Sequence, residues 1–302
     1  MMALSRDLDM RGLRGRVREN EPLSRHTAWS IGGPADRMYQ PADLEDLCAF
    51  LRRLPEAEPL FWLGLGSNLL VRDGGIRGTV IHLGNTLSEQ SLVGPQEVRA
   101  EAGVACPKVA RFAARSKLRG AEFMAGIPGT VGGALAMNAG AFGGETFDIV
   151  SVVETVTRRG ELRSRPANAL ETGYRHVAVP EGEWFVAARF ALEVGLREDS
   201  ETHIRELLRT RSETQPLRQR SCGSVFRNPP GDFAARLIEA SGLKGARRGG
   251  AQVSEKHANF IINVDAARAA DVEALINHVM DRVERDHGVG LVPEVRVVGD
   301  AA

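Results

Sequence analysis

One uncharged, glycine-rich stretch constrains the fold of this chain more than any other feature. Residues 126–144 read GIPGTVGGALAMNAGAFGG and contain seven glycines and no charged side chain. Ordering so many glycines is costly in backbone entropy, so the pattern favours a place where main chain approaches another group closely. The intervening apolar residues argue against a solvated linker. The stretch predicts an uncharged backbone surface against a large, flat cofactor, and tight helix packing through small residues is the alternative.

A second glycine turn, LGLGSNLL, lies upstream at residues 63–70. It is not the Rossmann fingerprint, because Leu69 stands where that motif has Gly or Ala. Since a strand follows the turn, we expect successive N–H groups, helped by Ser67 and Asn68, to hold phosphate. A strand-to-strand turn without a ligand is the alternative. One apolar loop and one diphosphate-like loop are together what FAD requires. The predicted cofactor-binding residues are Gly64, Leu65, Gly66, Ser67, Asn68, Leu69, Gly126, Ile127, Pro128, Gly129, Gly132, Gly133, Asn138, Gly140 and Ala141.

Composition narrows the range of partners and compartments. The 302 residues include 39 Lys plus Arg and 39 Asp plus Glu, so the formal net charge is zero. This balance gives no support to a nucleic-acid or anionic-membrane partner. We expect a cytoplasmic protein, because no apolar run reaches the roughly 18 residues of a spanning helix and no signal peptide is recognisable. Three distant cysteines and the spacing of the histidines predict neither disulfides nor a metal site.

The order of predicted elements indicates an α+β fold, because strands and helices mix without regular βαβ alternation. Residues 1–21 are expected to form a poorly ordered arm, and a charged segment at 197–220 marks a domain boundary. Asp271 is expected to cap a helix that ends at Gly288. The other predicted helices cover about 42–54, 107–118, the first part of 197–220, and 232–242. The predicted strands cover 60–64, 79–83, 97–104, 184–194, 259–264 and 291–298, with a hairpin around 158–160.

Ser224, in the segment SCGSVFRNP, is the first candidate for chemistry. An isolated serine is more often a capping or turn residue, but Gly223 and the rigid turn after it would fix this hydroxyl at a loop tip. No Ser-His-Asp triad or GxSxG elbow is recognisable, so proton donation is more plausible than nucleophilic attack. Cys222 is a competing candidate, although most such thiols are structural.

Two charged residues in apolar surroundings are the other candidates for chemistry. Glu294 follows a proline in LVPEVRV, where a carboxylate is unfavourable unless it is paired or functional. An ion pair with Arg296, on the same face of the strand, is the alternative. Arg175 lies in ETGYRHV, and its guanidinium would suit a substrate carboxylate or a developing enolate. A surface arginine is the alternative there.

Seven motifs in order give the chain a family resemblance. They are SIGGPAD at 30–36, LGLGSNLLVRD at 63–73, AGIPGTVGGALAMNAGAFG at 125–143, GYR at 173–175, SCGSVFRNP at 221–229, GLKGARRGGAQVSEKHANFIIN at 242–263 and LVPEVRVVG at 291–299. Together they resemble the UDP-N-acetylenolpyruvoylglucosamine reductases, flavoenzymes of bacterial peptidoglycan synthesis. Val177 departs from the family's usual serine. The short spacing after Arg175 indicates the type without a tyrosine-bearing insertion.

The resemblance implies a fold and a domain division. It implies an FAD-binding domain over 22–198, of the two-part type found in vanillyl-alcohol oxidase and p-cresol methylhydroxylase. Its subdomains would cover about 22–86 and 87–198. A C-terminal α/β substrate domain would cover 199–302, and residues 1–21 would be an N-terminal arm. The protein is expected to be a monomer that makes cell-wall precursor and so serves cell shape and division.

The resemblance also implies a reaction and roles for residues. NADPH would reduce non-covalent FAD, and the enolpyruvyl group of the UDP-sugar would then take hydride at C3. Ser224 would protonate C2, while Glu294 and Arg175 would polarise the carboxylate and stabilise the developing charge. Substrate would also contact Tyr174, Arg227, Asn228 and His257. The competing functions are another FAD-dependent oxidase or dehydrogenase of this fold, and a non-catalytic flavin-binding module.

Overall fold

The computed structural model describes residues 8–302, in which short strands outnumber helices. The helices are α1 (Leu44–Arg53), α2 (Cys106–Arg115), α3 (Val131–Ala136), α4 (Arg197–Thr214), α5 (Ala234–Ala240) and α6 (Ala269–His287), and 3₁₀ turns cover Leu23–Arg25, Glu122–Gly126, Thr146–Asp148 and Ala167–Ala169. The strands are β1 (Arg16–Pro22), β2 (Pro34–Gln40), β3 (Leu60–Leu63), β4 (Leu69–Val71), β5 (Ile76–His82), β6 (Gln90–Gly94), β7 (Glu97–Glu101), β8 (Leu118–Arg119), β9 (Gly140–Ala141), β10 (Gly144–Glu145), β11 (Val150–Thr157), β12 (Leu162–Pro166), β13 (Thr172–Gly173), β14 (His176–Val177), β15 (Glu183–Ala191), β16 (Glu193–Val194), β17 (Arg247–Arg248), β18 (Ala251–Val253), β19 (Ile261–Asn263) and β20 (Arg296–Val298).

The sheets combine antiparallel and parallel pairing. The largest has the order β12-β11-β15-β7-β6 and is antiparallel throughout. A four-stranded sheet has the order β1-β2-β5-β3, in which β3 and β5 run parallel. Strands β17, β18 and β19 form a third, antiparallel sheet, and β4 pairs in parallel with β20. The predicted α+β class is confirmed.

Local sequence signals placed most elements within a few residues. Helix α1 begins after Asp43, whose carboxylate accepts a hydrogen bond from the Asp46 N–H at 2.9 Å and so satisfies one of the free donors of the first turn. The predicted hairpin is confirmed by the pairing of Val156 with Leu162. Gly288, with φ +67°, ends α6 as expected.

Three expectations near the chain ends differ from the structure. Residues 16–21 belong to strand β1 and are not a poorly ordered arm, while residues 1–7 lie outside the described part. Helix α6 begins after Arg268, and Asp271 is its third residue, where its carboxylate accepts from the Arg268 N–H at 3.0 Å. The predicted strand 291–298 is regular only from Arg296, because the preceding residues pair with other segments.

The chain forms two compact units that are discontinuous in sequence. The first unit contains the described residues up to 18, then 37–64 and 78–210; the second unit contains 19–36, 65–77 and 211–302. Two N-terminal segments therefore fold with the C-terminal third. The family resemblance assigns FAD binding to 22–198 and substrate binding to 199–302, each as one continuous segment. This assignment stays a prediction.

Each unit has its own apolar core. The first unit holds two clusters of buried side chains, one around Val109, Leu135 and Phe190 and one around Phe50 and Ile81. The second unit holds one cluster, made by residues from all three of its segments: Trp29, Leu70, Phe226, Leu275 and Val279. In the part of the chain that the structure describes, no helix is long and apolar enough to cross a membrane.

Candidate active site

In the second unit, main-chain pairing joins the first glycine loop to the segment that carries Glu294. Strand β4 leaves the loop and pairs with β20, with Leu69 opposite Arg296. The Arg296 N–H donates to the Asn68 carbonyl at 3.1 Å, and the Asn68 amide donates to the Glu294 carbonyl at 3.0 Å. Asn68 thus fixes the backbone on both sides of Val295.

The same pairing brings Ser224 next to Glu294. The Glu294 N–H donates to the carbonyl of Val225 at 2.7 Å, and Phe226 forms an isolated antiparallel bridge with Pro293. Ser224 therefore lies one residue before the hydrogen-bonded partner of Glu294.

A buried asparagine braces the segment after Ser224. Asn259 is buried, and its side chain accepts from the Phe226 N–H at 2.9 Å and donates to the Phe226 carbonyl at 2.8 Å. Its own carbonyl accepts from the Val225 N–H at 2.9 Å. Three hydrogen bonds with Asn259 therefore hold Val225 and Phe226. The fold thus fixes the backbone directly after Ser224.

Cys222 has a structural environment. Its buried thiol lies 3.5 Å from the Gly66 carbonyl and 3.4 Å from the Leu69 carbonyl, so it links the first glycine loop to the serine segment. Burial raises the pKa of this thiol to about 12. Such a thiol forms almost no thiolate at neutral pH, and its burial against two main-chain carbonyls indicates a structural role.

The first glycine loop depends on Gly66. Its φ of +58° lies in the left-handed region, and a Cβ there would overlap the His26 carbonyl oxygen. The N–H groups of Gly66 and Ser67 have no hydrogen-bond acceptor among residues 8–302. Gly64, the loop residue that belongs to the first unit, is also confined, since a Cβ would lie 2.6 Å from the Thr130 hydroxyl. The loop can therefore offer two adjacent N–H donors to an anion.

In the first unit, packing requires some glycines of the second loop, whereas another leaves its backbone open to a ligand. Gly132 is needed for packing, because a Cβ would lie 2.9 Å from Ala102 Cβ. Gly126 and Gly140 are likewise close to the Phe142 ring and the Gly144 carbonyl. Around Gly133, in contrast, the nearest atom to such a Cβ would be Thr130 Oγ1 at 3.8 Å. Tight packing therefore explains part of this glycine-rich loop. At Gly133, in contrast, the backbone is open to a ligand.

The same loop contains buried N–H groups that suit a ligand. Gly129 and Thr130 are buried, and their N–H groups have no acceptor among the described residues. Buried backbone donors are almost always paired, so such groups call for a partner that is not protein. A flavin ring, with carbonyl and nitrogen acceptors along one edge, fits them. Thr130 was not among the predicted contacts, although the GIPGT sequence includes it. Ile127 is buried beside these residues, Pro128 is exposed, and Ala141 is half-buried in β9.

Arg175 is placed by a tight hairpin in the first unit. Strands β13 and β14 pair Gly173 with His176, so Tyr174 and Arg175 form a two-residue turn. The φ of Arg175 is +55°, a conformation that favours Gly or Asn in such turns. Its guanidinium lies 4.8 Å from the centre of the Tyr174 ring. A strained arginine at a turn tip is a feature often found at functional sites.

Two main-chain carbonyls and one carboxylate lie around the guanidinium of Arg175. Its Nη1 and Nη2 donate to the carbonyls of Asn138 and Gly140, both at 3.3 Å, and Nη1 lies 3.6 Å from Glu145 Oε1. The predicted flavin contact Asn138 uses its own side chain within the unit, donating to Glu145 at 2.8 Å and to the Gly173 carbonyl at 3.2 Å. Glu145 was missed by sequence reasoning, because a carboxylate in a GGET turn carries no local sign of its partner.

The remaining predicted substrate contacts lie in the second unit. The Arg227 N–H donates to the Val292 carbonyl at 2.9 Å, which continues the pairing beside Glu294. The Asn228 side chain accepts from the Ala234 N–H at 3.1 Å at the start of α5. Burial lowers the pKa of His257, whose ring packs edge-on against Phe260, so this histidine is neutral at pH 7.

Comparisons with known proteins match two consecutive parts of the chain. A family model described as an FAD binding domain matches residues 35–164, and one described as the C-terminal domain of UDP-N-acetylenolpyruvoylglucosamine reductase matches residues 215–298. The reductases of that name from Alkalilimnicola ehrlichii and Methylococcus capsulatus are each 62% identical to this chain; the first covers 95% of this chain and 96% of its own length, the second 95% of both. The crystal structure of the reductase from Thermus caldophilus, at 35% identity, matches with a TM-score of 0.81 over 94% of this chain and 98% of its own.

Proposed function

The chain belongs to the UDP-N-acetylenolpyruvoylglucosamine reductase family, and from that premise we propose how its residues divide the work of the reaction. The enzyme uses FAD and NADPH to reduce the enolpyruvyl group of UDP-N-acetylglucosamine enolpyruvate to UDP-N-acetylmuramate, a step of peptidoglycan synthesis. This reaction is preferred over an oxidase of the same fold or a non-catalytic flavin module, because relatives at 62% identity carry the reductase name.

The two glycine loops would hold the flavin. Unpaired N–H groups of Gly66 and Ser67 suit its diphosphate, and those of Gly129 and Thr130 suit the edge of its ring. The open backbone at Gly133 suits close approach of the ring face. When bound, FAD supplies the hydride that it has taken from NADPH. The protein supplies position, a proton and fixed charge.

Ser224 would donate its hydroxyl proton to C2 of the enolpyruvyl group. The observation that carries this role is the pairing of Glu294 N–H with the Val225 carbonyl at 2.7 Å, which supports a hydroxyl and a carboxylate at neighbouring positions of one rigid unit. Glu294 and Arg175 would polarise the substrate carboxylate and stabilise the charge that develops at C2. Such preorganised electrostatic stabilisation is usually the largest single contribution to a step of this kind.

The proposed substrate contacts belong to both units. Tyr174 and Arg175 share one hairpin turn in the first unit, while Arg227, Asn228 and His257 belong to the second unit. The assignment of FAD binding to 22–198 and of substrate binding to 199–302 is supported by the two family models at 35–164 and 215–298. A monomeric state and a cytoplasmic location also remain proposals, and light scattering on purified protein tests the first.

The decisive experiment follows the flavin colour through both half-reactions. Purified protein should be yellow, should bleach when NADPH is added without oxygen, and should recover its colour when the enolpyruvyl UDP-sugar is added. Slow recovery with oxygen alone would agree with a reductase. Bleaching without recovery on the UDP-sugar, or fast recovery with oxygen only, would contradict the proposed substrate.

A further inference from the structure

Glu145 is the acidic side chain that faces the guanidinium of Arg175. Its Oε1 lies 3.6 Å from Arg175 Nη1, and the Arg175 side chain is only 15% exposed. Both hydrogen bonds from Arg175 to main-chain carbonyls measure 3.3 Å, which is long compared with the usual 2.9–3.0 Å. Two main-chain carbonyls and the Glu145 carboxylate therefore surround this positive charge.

The carboxylate of Glu145 is itself anchored. Its Oε2 accepts from the buried side chain of Asn138 at 2.8 Å, and the other atom of that amide group accepts from the Phe147 N–H at 3.0 Å. The Glu145 N–H donates to Asp148 at 2.7 Å, and its side chain accepts in return from the first turn of the 3₁₀ helix. One carboxylate oxygen thus fixes the loop, and the other faces the arginine.

The hairpin that carries Arg175 is tied to the same anchor. Asn138 donates to the Gly173 carbonyl at 3.2 Å, one residue before the turn. Val177 in the second strand of the hairpin offers no side-chain hydrogen bond that could orient the turn. Asn138 therefore joins the hairpin to the carboxylate that lies near the Arg175 guanidinium.

We infer that Glu145 is a positioning residue, which holds the Arg175 guanidinium in the orientation that stabilises charge on the substrate. The inference rests on the proposed role of Arg175. Because the carboxylate acts on an arginine and not on the flavin, its loss should leave reduction by NADPH unchanged. Because the arginine is misplaced and not removed, the loss should be smaller than that caused by deleting Arg175.

The test is Glu145→Gln, assayed by stopped-flow for each half-reaction. Glutamine keeps an oxygen for the Asn138 amide, so the unfolding midpoint should match that of the wild type, but it removes the charge that faces Arg175. We expect oxidation of the reduced flavin by the UDP-sugar to slow about tenfold or more, within the roughly 10²-fold that a small misplacement can cause. The dissociation constant of the UDP-sugar should change by much less. Wild-type speed in this half-reaction would overturn the inference.

Two controls separate this effect from general damage. Glu154→Gln removes the carboxylate of another ion pair in the first unit, in which Glu154 accepts from Arg99 at 2.7 Å, and it should leave both half-reactions unchanged. On an Arg175→Ala background, Glu145→Gln should cause no further slowing. Additive slowing there, or equal slowing by the Glu154 variant, would contradict the positioning role. If Arg175→Ala itself left the second half-reaction intact, the proposed role of Arg175 would fail instead.

Discussion

The two units hold their candidate residues by different means. In the second unit, Ser224 and Glu294 are placed by main-chain hydrogen bonds between neighbouring segments, with Asn259 as the brace. In the first unit, Arg175 lies at a strained turn, where its guanidinium donates to two main-chain carbonyls and lies near Glu145, which the Asn138 side chain anchors. The second unit thus relies on pairing between segments, and the first unit adds polar side chains around its candidate residue.

This difference predicts whether a substitution near the candidate residues of each unit lowers stability or lowers the reaction rate. Main-chain pairing depends on the whole fold, so damage to it should appear first as lost stability. Side-chain supports can be removed while the sheets remain intact, so damage to them should appear first as lost rate. The predictions below test that contrast, beginning with the largest expected effect.

Ser224→Ala should give the largest change in rate. We expect flavin reduction by NADPH to stay close to the wild-type value, while reoxidation by the UDP-sugar slows by about 10²–10⁴-fold, as for loss of a positioned acid. Stopped-flow absorbance of the flavin measures both steps on one sample. Equal slowing of both half-reactions would rule out the proton-donor role.

Asn259→Ala should give the largest change in stability. It leaves the buried N–H and carbonyl of Phe226 without their partners, and each such group costs about 1–3 kcal/mol. We expect the free energy of unfolding in urea to fall by about 2–5 kcal/mol. The control is Asn277→Ala on the exposed face of α6, which should change it by less than about 0.5 kcal/mol. Similar values for the two variants would show that the brace adds little to the second unit.

Gly133→Ala should weaken the flavin without weakening the fold. An added Cβ meets no protein atom closer than 3.8 Å, and alanine is the better helix former by about 1 kcal/mol. We expect the FAD-free protein to be as stable as the wild type or slightly more so. Contact with a bound ring should raise the dissociation constant of FAD by roughly 5- to 150-fold, the equivalent of about 1–3 kcal/mol of overpacking.

Gly132→Ala is the matched variant one residue away. Its Cβ would crowd Ala102 at 2.9 Å, so the fold itself should lose about 1–3 kcal/mol. Titration of FAD by fluorescence and unfolding in urea separate the two outcomes. Unchanged FAD affinity in Gly133→Ala would remove this glycine from the proposed cofactor cradle.

A pH-dependent effect concerns two of the buried thiols, Cys106 in the first unit and Cys222 in the second. Burial raises the pKa of each to about 12 from an ordinary value near 9, so the folded state keeps a proton that the unfolded state loses. Stability from this source is complete below pH 9 and is lost as pH rises toward 12. Each thiol should contribute a slope of about 1.4 kcal/mol per pH unit in that window.

Unfolding in urea between pH 8 and pH 11 measures this slope. Either Cys106→Ala or Cys222→Ala should reduce the slope of the free energy of unfolding against pH by the contribution of one thiol. Below pH 8 the slope should not change. A Cys222→Ala variant should also keep both half-reactions, because the burial of that thiol against two main-chain carbonyls indicates a structural role. Loss of the second half-reaction in this variant would make Cys222, and not only Ser224, a candidate proton donor.

Local chemistry made much of the fold predictable. The stop at Gly288 and the hairpin after Thr157 each depend on a few adjacent residues, and each was located correctly. The start of α6 was placed three residues late, because the side chain that caps its first N–H groups comes from elsewhere. Asp73 accepts from the N–H groups of Ala269 and Ala270 at 3.0 and 3.1 Å. No pattern near residue 270 reveals a partner almost 200 positions away.

The candidate site shows the same limit. Ser224, Glu294 and Arg175 were picked out from the sequence as candidates, each with a structural alternative, and the family resemblance implied their roles. Their surroundings were not predicted. The ion pair expected as the alternative for Glu294 assumed a regular strand, whereas its backbone pairs with Val225 and Asn68.

The amino-acid sequence by itself determined most of the helices and several strands, because glycine spacing, capping residues and apolar periodicity act over a few residues, and its motifs carried the family resemblance that implied the cofactor and the reaction. Only the tertiary structure decided that 19–36 and 65–77 fold with the C-terminal third, and that the Glu145 carboxylate lies 3.6 Å from the Arg175 guanidinium. The physical reason is that hydrogen bonds between distant segments require a donor and an acceptor to meet in space. Chain order carries no record of which segments do so.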